Sequence, residues 1–263
     1  MDSPSAALPL LLHIPLSHYN EKARWALDHK SIAHHRRVIG PDFYWRAWRA
    51  TGQGKTPILF LPEGRAIHDS TRIIEALERI QPEPALYPAD PALRQRALDL
   101  EEHFDEALGP SLRACLVTPL FRNDPEIALR VLMTGMSKNF QRLRPFARLL
   151  PGFYRKRHQI RDEALEADRQ KVRSALDRVE SERDGRAYLV GETFSVADLT
   201  VAALLSPLLQ PDQIQYPIEI ELPGYAREYR ESVLRHPAFD WAREIYRLHR
   251  GTSAQVRRNP SKP

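Results

Sequence analysis

The first part of the chain mixes short apolar runs with segments in which apolar residues recur at helical spacing. The small polar Ser17 opens one helical pattern, and the Asp69-Ser70 pair opens another. In chain order, the pattern predicts a strand at residues 9–14, a helix at 17–30, a strand at 34–39, an irregular helix at 42–50, strands at 55–61 and 65–68, and a helix at 69–80. This order predicts a mixed α/β sheet with helices packed on it.

A proline-rich segment divides the chain. Four prolines fall within residues 81–91, which is too many for a helix or a central strand. We therefore place a linker at residues 82–91, between a first domain at residues 8–81 and a second domain at residues 92–250. Apolar residues in the second domain recur at helical spacing, so we expect it to be all-helical.

Two features of the second half predict local structure. Ser195 and Asp198 form a variant of the capping box ahead of an almost wholly apolar segment, which predicts a buried central helix. Residues 251–263 are polar and basic, and we expect them to form a disordered tail.

Composition narrows the class of protein. The 263 residues carry a formal net charge of +5 and a mean hydropathy of -0.49. No apolar run approaches the roughly 20 residues that span a bilayer. The apolar N-terminal segment follows Asp2 without any Lys or Arg, which favours a strand over a signal peptide. We expect a soluble, globular, cytoplasmic protein.

The Cys and His residues give no sign of a metal site. The single Cys115 excludes an internal disulfide and a Cys-based metal cluster, and its apolar surroundings predict a packed core thiol. His34 and His35 are adjacent on a predicted strand, so their side chains point to opposite faces and one metal ion cannot easily take both. No metal cofactor is expected.

Ser17 is the first candidate for chemistry. The unpaired N–H groups of a helix's first turn, together with the helix dipole, stabilise an anion held beside them. A serine hydroxyl in that place donates to a thiolate, a carboxylate or a phosphate, or it serves only as the N-cap of the helix. The residues alone leave both interpretations open.

Two further segments are candidates for ligand contacts. Thr56-Pro57 opens an apolar strand, where a cis bond would turn backbone groups outward toward a ligand. Asp69-Ser70 forms a second helix start suited to an anion.

Taken in order, these motifs resemble those of soluble glutathione transferases of the serine type. The resemblance spans nearly the whole chain and is carried by Ser17-x-x-x-Glu21-Lys22-x-Arg24-x-x-Leu27, Lys55-Thr56-Pro57, Asp69-Ser70 and Gly191-Glu192-Thr193-Phe194-Ser195-Val196-Ala197-Asp198. It implies an α/β thioredoxin-like N-terminal domain followed by an all-α C-terminal helical domain. It also implies an enzyme that conjugates the thiolate of glutathione, its co-substrate, to a small hydrophobic electrophile in detoxification, and that forms a homodimer.

The resemblance assigns a role to each motif residue. Ser17 would be the catalytic residue whose hydroxyl faces the glutathione sulfur. Lys55 and Thr56 would flank the conserved cis-proline, Pro57, whose backbone pairs with the cysteinyl part of glutathione. Asp69 and Ser70, at the start of the next helix, would hold the γ-glutamyl amine and carboxylate of glutathione.

The chain also departs from the family pattern. Asn20 stands where thiol-exchanging relatives often carry a second cysteine, and Ser17 where they carry the first, which disfavours a mixed-disulfide mechanism. Residues 52–54 replace the usual Asn-Pro ahead of the third strand, which leaves the contacts to the glycyl end undefined. Tyr19 is an alternative partner for the thiol, although we expect it to pack inward.

The electrophile pocket is expected between the two domains. Its first wall would carry His13, Pro15 or His18, and its second wall would come from helices near residues 112–121. Sequence does not rank the three candidates of the first wall.

The segment 127–161 is basic and contains no acidic residue. It could lie on an anionic membrane surface as a basic amphipathic stretch, or cover the flank of the domain as a solvated helix pair, and we favour the second interpretation. No recognised nucleic-acid-binding module accompanies it, so no nucleic-acid partner is expected. A third functional hypothesis is a glutathione-transferase-like binding module without catalytic activity.

Overall fold

The computed structural model describes residues 7–135 and 164–257. Four strands form one sheet in the order β2-β1-β3-β4: β1 Leu10–His13, β2 His35–Val38, β3 Ile58–Phe60 and β4 Ala66–His68. Strand β1 is parallel to β2 and antiparallel to β3, which is in turn antiparallel to β4. The helices are α1 His18–His29, α2 Pro41–Thr51, α3 Ser70–Ile80, α4 Pro91–Asn123, α5 Pro125–Leu132, α6 Leu165–Arg183, α7 Val196–Leu209, α8 Gly224–Leu234 and α9 Pro237–His249.

Strand alternation places helices on both faces of the sheet. Leu11 and Leu59 face the large core that includes residues of α1 and α3, whereas Leu12 and Ile58 face a smaller core with Ala47 of α2. Successive side chains of a strand point to opposite faces, so a buried two-sided sheet needs consecutive apolar residues. The first domain is thioredoxin-like, as predicted.

The predicted and observed elements differ mainly at their ends. The third strand begins only at Ile58, after Pro57, because proline cannot donate to a strand ladder. Helix α2 is regular from Pro41 at its first turn to Gly52, whose positive φ of 69° ends it.

Helix α7 is the centre of the helical domain. Every residue of α7 except Pro207 is buried, and the helix packs against α1, α4 and α9. The predicted capping box is present: the Asp198 carboxylate accepts from the Ser195 N–H at 2.9 Å and from the Leu189 N–H at 2.7 Å. The prediction of a buried central helix is confirmed.

The C-terminal segment differs from the prediction. Residues 254–256 pair with His34, just before β2: the Val256 N–H donates to the His34 carbonyl at 2.8 Å, and the His34 N–H donates to the Ala254 carbonyl at 3.4 Å. The Ala254 N–H donates to the Asp28 carboxylate at 2.9 Å. The prediction of a disordered tail is therefore wrong for residues 251–257, because backbone hydrogen bonds hold them, and residues 258–263 lie outside the described part.

Most of the basic segment 127–161 also lies outside the described residues, which stop at 135 and resume at 164. The membrane-surface and flank-covering interpretations of that segment both stay predictions. Among the described helices, none combines the length and the apolar character needed to cross a membrane.

Candidate functional site

One cavity of about 800 Å³ lies between the two domains. The first domain contributes the end of the loop after β1, the first turn of α1, the loop before β3 and the start of α3, and the second contributes residues of α4, α5, α7 and α8. The cavity brings together all six residues that the sequence predicts for the site: Ser17, Lys55, Thr56, Pro57, Asp69 and Ser70.

Ser17 occupies the N-cap position of α1. Its backbone N–H donates to the Ile14 carbonyl at 3.2 Å, and its carbonyl accepts from the Glu21 N–H at 2.9 Å. Its hydroxyl makes no capping hydrogen bond. Of the two interpretations that the sequence leaves open, this geometry favours a hydroxyl that is available to a ligand in the cavity.

His18 follows Ser17 and also lines the cavity. Burial, assisted by the charge of Arg113, lowers the pKa of His18 to about 3, so its imidazole is neutral near pH 7. Its Nε2 atom has no hydrogen-bond partner among the described residues. Of the three candidates for the first wall, His18 is the one that lines this cavity.

His13 and Pro15 lie elsewhere. The Arg24 guanidinium approaches His13 Nδ1 at 3.0 Å, and the His13 ring lies 5.2 Å from the Tyr216 ring, away from the cavity. Pro15 lines a small neighbouring recess instead. The expectation of a wall built by His13 or Pro15 is wrong, because the His13 ring contacts Arg24 and the Pro15 ring lies beside Gly135.

Tyr19 lies at the junction of the domains. Its hydroxyl donates to the Asp105 carbonyl at 2.7 Å, and its ring packs against the main core. Helix α4 accommodates the phenol at Gly109, where a Cβ atom would lie 2.1 Å from the hydroxyl oxygen. This hydroxyl is already engaged, so Tyr19 is a weak candidate for the partner of a thiol.

Asn20 connects two loops of the site. Its Oδ1 accepts from the Ile14 N–H at 3.2 Å, and its Nδ2 donates to Thr56 Oγ1 at 3.3 Å. The Thr56-Pro57 bond is cis, as predicted. Asn20 therefore has a positioning role that sequence reasoning missed, since its partner Thr56 is 36 positions away along the chain.

Gln53 is a second missed residue. Its side chain accepts from the Lys55 N–H at 2.7 Å and donates to the Lys55 carbonyl at 3.2 Å. It also lines the cavity. The segment that replaces the usual Asn-Pro thus supplies an amide that braces the loop before β3.

Asp69 is the N-cap of α3 and has an unusual backbone conformation. Its Oδ1 accepts from the Thr71 N–H at 3.0 Å and the Arg72 N–H at 3.4 Å, which leaves Oδ2 as an acceptor. Its φ of 77° is rare for a residue with a side chain, and such conformations cluster at functional sites. The buried Ser70 follows it at the same edge of the cavity.

Helix α4 supplies much of the second wall. Leu116, Val117 and Leu120 contribute apolar side chains to this wall, as does Val131 of α5. This part of the cavity matches the predicted contribution of residues 112–121. Cys115 faces the core instead, where burial raises the pKa of its thiol to about 11.

The charged residues of the Ser17 motif have a structural role. Glu21 accepts from Arg250 at 2.7 Å and from Arg24 at 2.8–2.9 Å, and all three side chains are buried. Lys22 Nζ lies 2.8 Å from the Glu101 carboxylate and also contacts Asp105, which joins α1 to α4. These ion pairs fix the helix whose first turn forms the site.

Among the described residues, no group of three or more metal-ligating side chains occurs. The adjacent histidines go to different partners: His34 Nε2 accepts from Arg36 at 2.9 Å, and His35 Nδ1 lies 2.7 Å from the Val256 carbonyl.

Two family models match the chain. The glutathione S-transferase N-terminal domain matches residues 11–85, and the glutathione S-transferase C-terminal domain matches residues 162–230. Together they cover more than half of the chain, which therefore belongs to the glutathione S-transferase family.

Solved structures show the same fold. A glutathione S-transferase from Pseudomonas fluorescens Pf-5 is 18% identical with a TM-score of 0.63, over 94% of this chain and 99% of that one. A glutathione S-transferase from Methylobacillus flagellatus KT, with glutathione bound, is 20% identical with a TM-score of 0.55, and the match covers 89% of this chain and 98% of that one. The beta-etherase LigF from Sphingobium sp. strain SYK-6 is 22% identical with a TM-score of 0.58, and the match covers 90% of this chain and 99% of that one. No curated protein matches the chain significantly.

Proposed function

We propose that this protein is a glutathione transferase that conjugates the glutathione thiolate to a small hydrophobic electrophile. The observation that carries the proposal is the Ser17 hydroxyl, which caps nothing and lines the same cavity as the five other predicted residues. One structural neighbour is named a beta-etherase, so the proposal names only the class of electrophile.

The cavity offers suitable partners for each part of glutathione. The free Oδ2 of Asp69 suits the γ-glutamyl ammonium, and the first turn of α3 at Ser70 suits its carboxylate. The backbone around Thr56 and Pro57 would pair with the cysteinyl part. The sulfur would then lie near the Ser17 hydroxyl and the first turn of α1.

Thiol activation needs only a modest preference for the anion. A thiol with a pKa of about 8.5 is roughly 3% ionised at pH 7, and a shift to about 6.5 makes about three quarters of it thiolate. That shift corresponds to about 2.7 kcal/mol. One hydrogen bond to a charged group contributes about 1.5–3 kcal/mol, so the Ser17 hydroxyl together with the helix N-terminus suffices.

Conjugation of a chlorodinitrobenzene tests this function. The thiolate forms a carbon–sulfur bond, the carbon–chlorine bond breaks, and chloride leaves with the bonding electron pair, while the thiol proton goes to solvent. We expect binding to immobilised glutathione together with turnover. Binding without turnover of a panel of such electrophiles would contradict the enzymatic proposal and support the non-catalytic binding module.

Ser17 variants test the assigned residue. Ser17→Ala should retain binding to immobilised glutathione but lower kcat/KM at pH 7 by up to about 25-fold, the change in thiolate fraction. Ser17→Thr keeps a hydroxyl and should recover part of the rate. Equal rates in the wild type and Ser17→Ala would remove Ser17 from the mechanism.

We further propose a homodimer and a cytoplasmic location, both as family expectations. Light scattering on the purified full chain measures the first, and cell fractionation measures the second. A monomer at micromolar concentration would contradict the dimer.

A further inference from the structure

Arg113 is a half-buried cation in the helical wall of the cavity. Its guanidinium makes no hydrogen bond or ion pair with any residue in the ranges 7–135 and 164–257. An arginine offers five donors in a fixed planar fork, and this one has them unused beside an enclosed space.

Nearby carboxylates have other partners or positions. Asp105 pairs with Lys22, and Asp69 caps α3. Glu106 lies two turns away from Arg113 on α4, roughly 10 Å along the axis.

A second arginine in the same wall shows the contrast. Arg230 donates to the Leu208 carbonyl at 2.6 Å and the Leu209 carbonyl at 3.2 Å, at the C-terminal end of α7. Its donors satisfy helix carbonyls that would otherwise lack partners, which is a structural role. Arg113 has no such role in the described chain.

An apolar stripe lies beside Arg113 on α4. Leu116, Val117 and Leu120 follow it on α4 at intervals of three, four and seven residues, so all four side chains lie on one helix face. All four line the cavity. His18, on the facing wall, is neutral and does not compete with Arg113 for an anion.

We propose that the electrophile carries a carboxylate that Arg113 binds, while its apolar body packs against Leu116, Val117 and Leu120. The inference rests on the proposed function and narrows its substrate class to amphipathic organic acids. A planar guanidinium pairs with a carboxylate through two parallel hydrogen bonds, and the apolar stripe excludes water from that pair.

A matched pair of electrophiles tests this inference: a chlorodinitrobenzoate and its methyl ester, which share the leaving group and differ in charge. We expect Arg113→Gln to raise KM for the acid by about 10- to 100-fold, the range for a lost charge-assisted contact. KM for the ester and for glutathione should change by less than about twofold. Arg113→Lys should give an intermediate value for the acid.

Arg122→Gln is the matched control, because Arg122 is exposed on the same helix and does not line the cavity. It should behave like the wild type with both compounds. Equal changes for acid and ester in Arg113→Gln, or no change for either, would overturn the inference. A rise in KM for glutathione instead would assign Arg113 to the glutathione site and also overturn it.

A binding measurement separates this inference from the proposed function. Calorimetry measures the binding of dinitrobenzoate and of its methyl ester to the protein with glutathione present. Neither compound carries the leaving chloride, so the measurement needs no turnover. Arg113-dependent preference for the acid without conjugation would support the inference and contradict the enzymatic function. If the wild type conjugates both chlorinated electrophiles without preferring the acid, the enzymatic function is supported and the inference is contradicted.

Discussion

The N-terminal tip of α1, at Ser17 and His18, differs from the rest of the helix in how its polar side chains are partnered. At the N-terminal end, the Ser17 hydroxyl caps nothing and His18 Nε2 has no partner among the described residues. Further along the helix, Glu21 in the first turn and Asp28 near the C-terminal end each accept from two buried arginine side chains. Both regions are polar, but only the second has its polar groups paired.

The difference separates function from stability. Charges removed from water are costly unless they are paired, so the ion pairs of Glu21 and Asp28 show what a structural polar cluster requires. The unpaired groups at the N-terminal end face a cavity instead. Groups left without partners in that position are the ones that a ligand can use.

The largest expected effect comes from breaking the paired region. Glu21→Gln leaves the buried Arg24 and Arg250 without the carboxylate charge between them, and the free energy of unfolding should fall by about 3–5 kcal/mol. Urea unfolding measures the loss. Glu102→Gln, at an exposed position of α4, is the control and should change stability by less than about 0.5 kcal/mol. Equal losses in the two variants would contradict the assigned role.

The same cluster predicts a pH dependence. Burial alone would raise the pKa of both carboxyls. For Glu21, the charges of Arg250 and Arg24 outweigh burial and lower the pKa below 4.5. For Asp28, the charges of Arg36 and Arg250 do the same and lower the pKa below 3.8. A carboxyl whose pKa is lower in the folded state stabilises the fold above its unfolded pKa, and that contribution is lost as the pH falls toward the folded value. Stability should therefore decrease below about pH 4.5.

Glu21→Gln sharpens that prediction, because it removes one of the two titrating groups. Its unfolding free energy should depend less steeply on pH in this acid range than that of the wild type. Urea unfolding at a series of pH values measures both slopes, and identical slopes would contradict the assignment to Glu21.

Asn20 lies between the two regions and should give the smallest effect. Asn20→Ala removes the bonds to Ile14 and Thr56, so stability should fall by about 1 kcal/mol and KM for glutathione should rise a few-fold. An unchanged KM in Asn20→Ala would show that this bridge does not position the glutathione site.

Local patterns in the sequence predicted the elements well, and the candidate residues that they indicated line one cavity. Periodicity placed β1, α1 and α7, and the Ser195 and Asp198 pair was found because a capping box spans only four residues. Short-range signals of this kind depend on neighbours along the chain. They are visible in one sequence without any knowledge of the fold.

Contacts between distant residues could not be predicted in this way. Glu21 and Arg250 are separated by 229 positions, and no local pattern indicates their pairing. Residues 251–257 have the composition of a disordered tail, yet His34 and Asp28 bind this segment through the backbone N–H groups of Val256 and Ala254. Backbone donors are common to nearly all residue types, so composition carries no signal of such pairing.

Titration of bound glutathione tests the account most directly. The ultraviolet absorbance of the thiolate, followed against pH with glutathione bound to the wild type and to Ser17→Ala, gives the pKa of the bound thiol. We predict a value near 6.5 in the wild type and a return toward about 8.5 in the variant. The same thiol pKa in both proteins would contradict the proposal that the hydroxyl at the N-terminal end of α1 stabilises the thiolate.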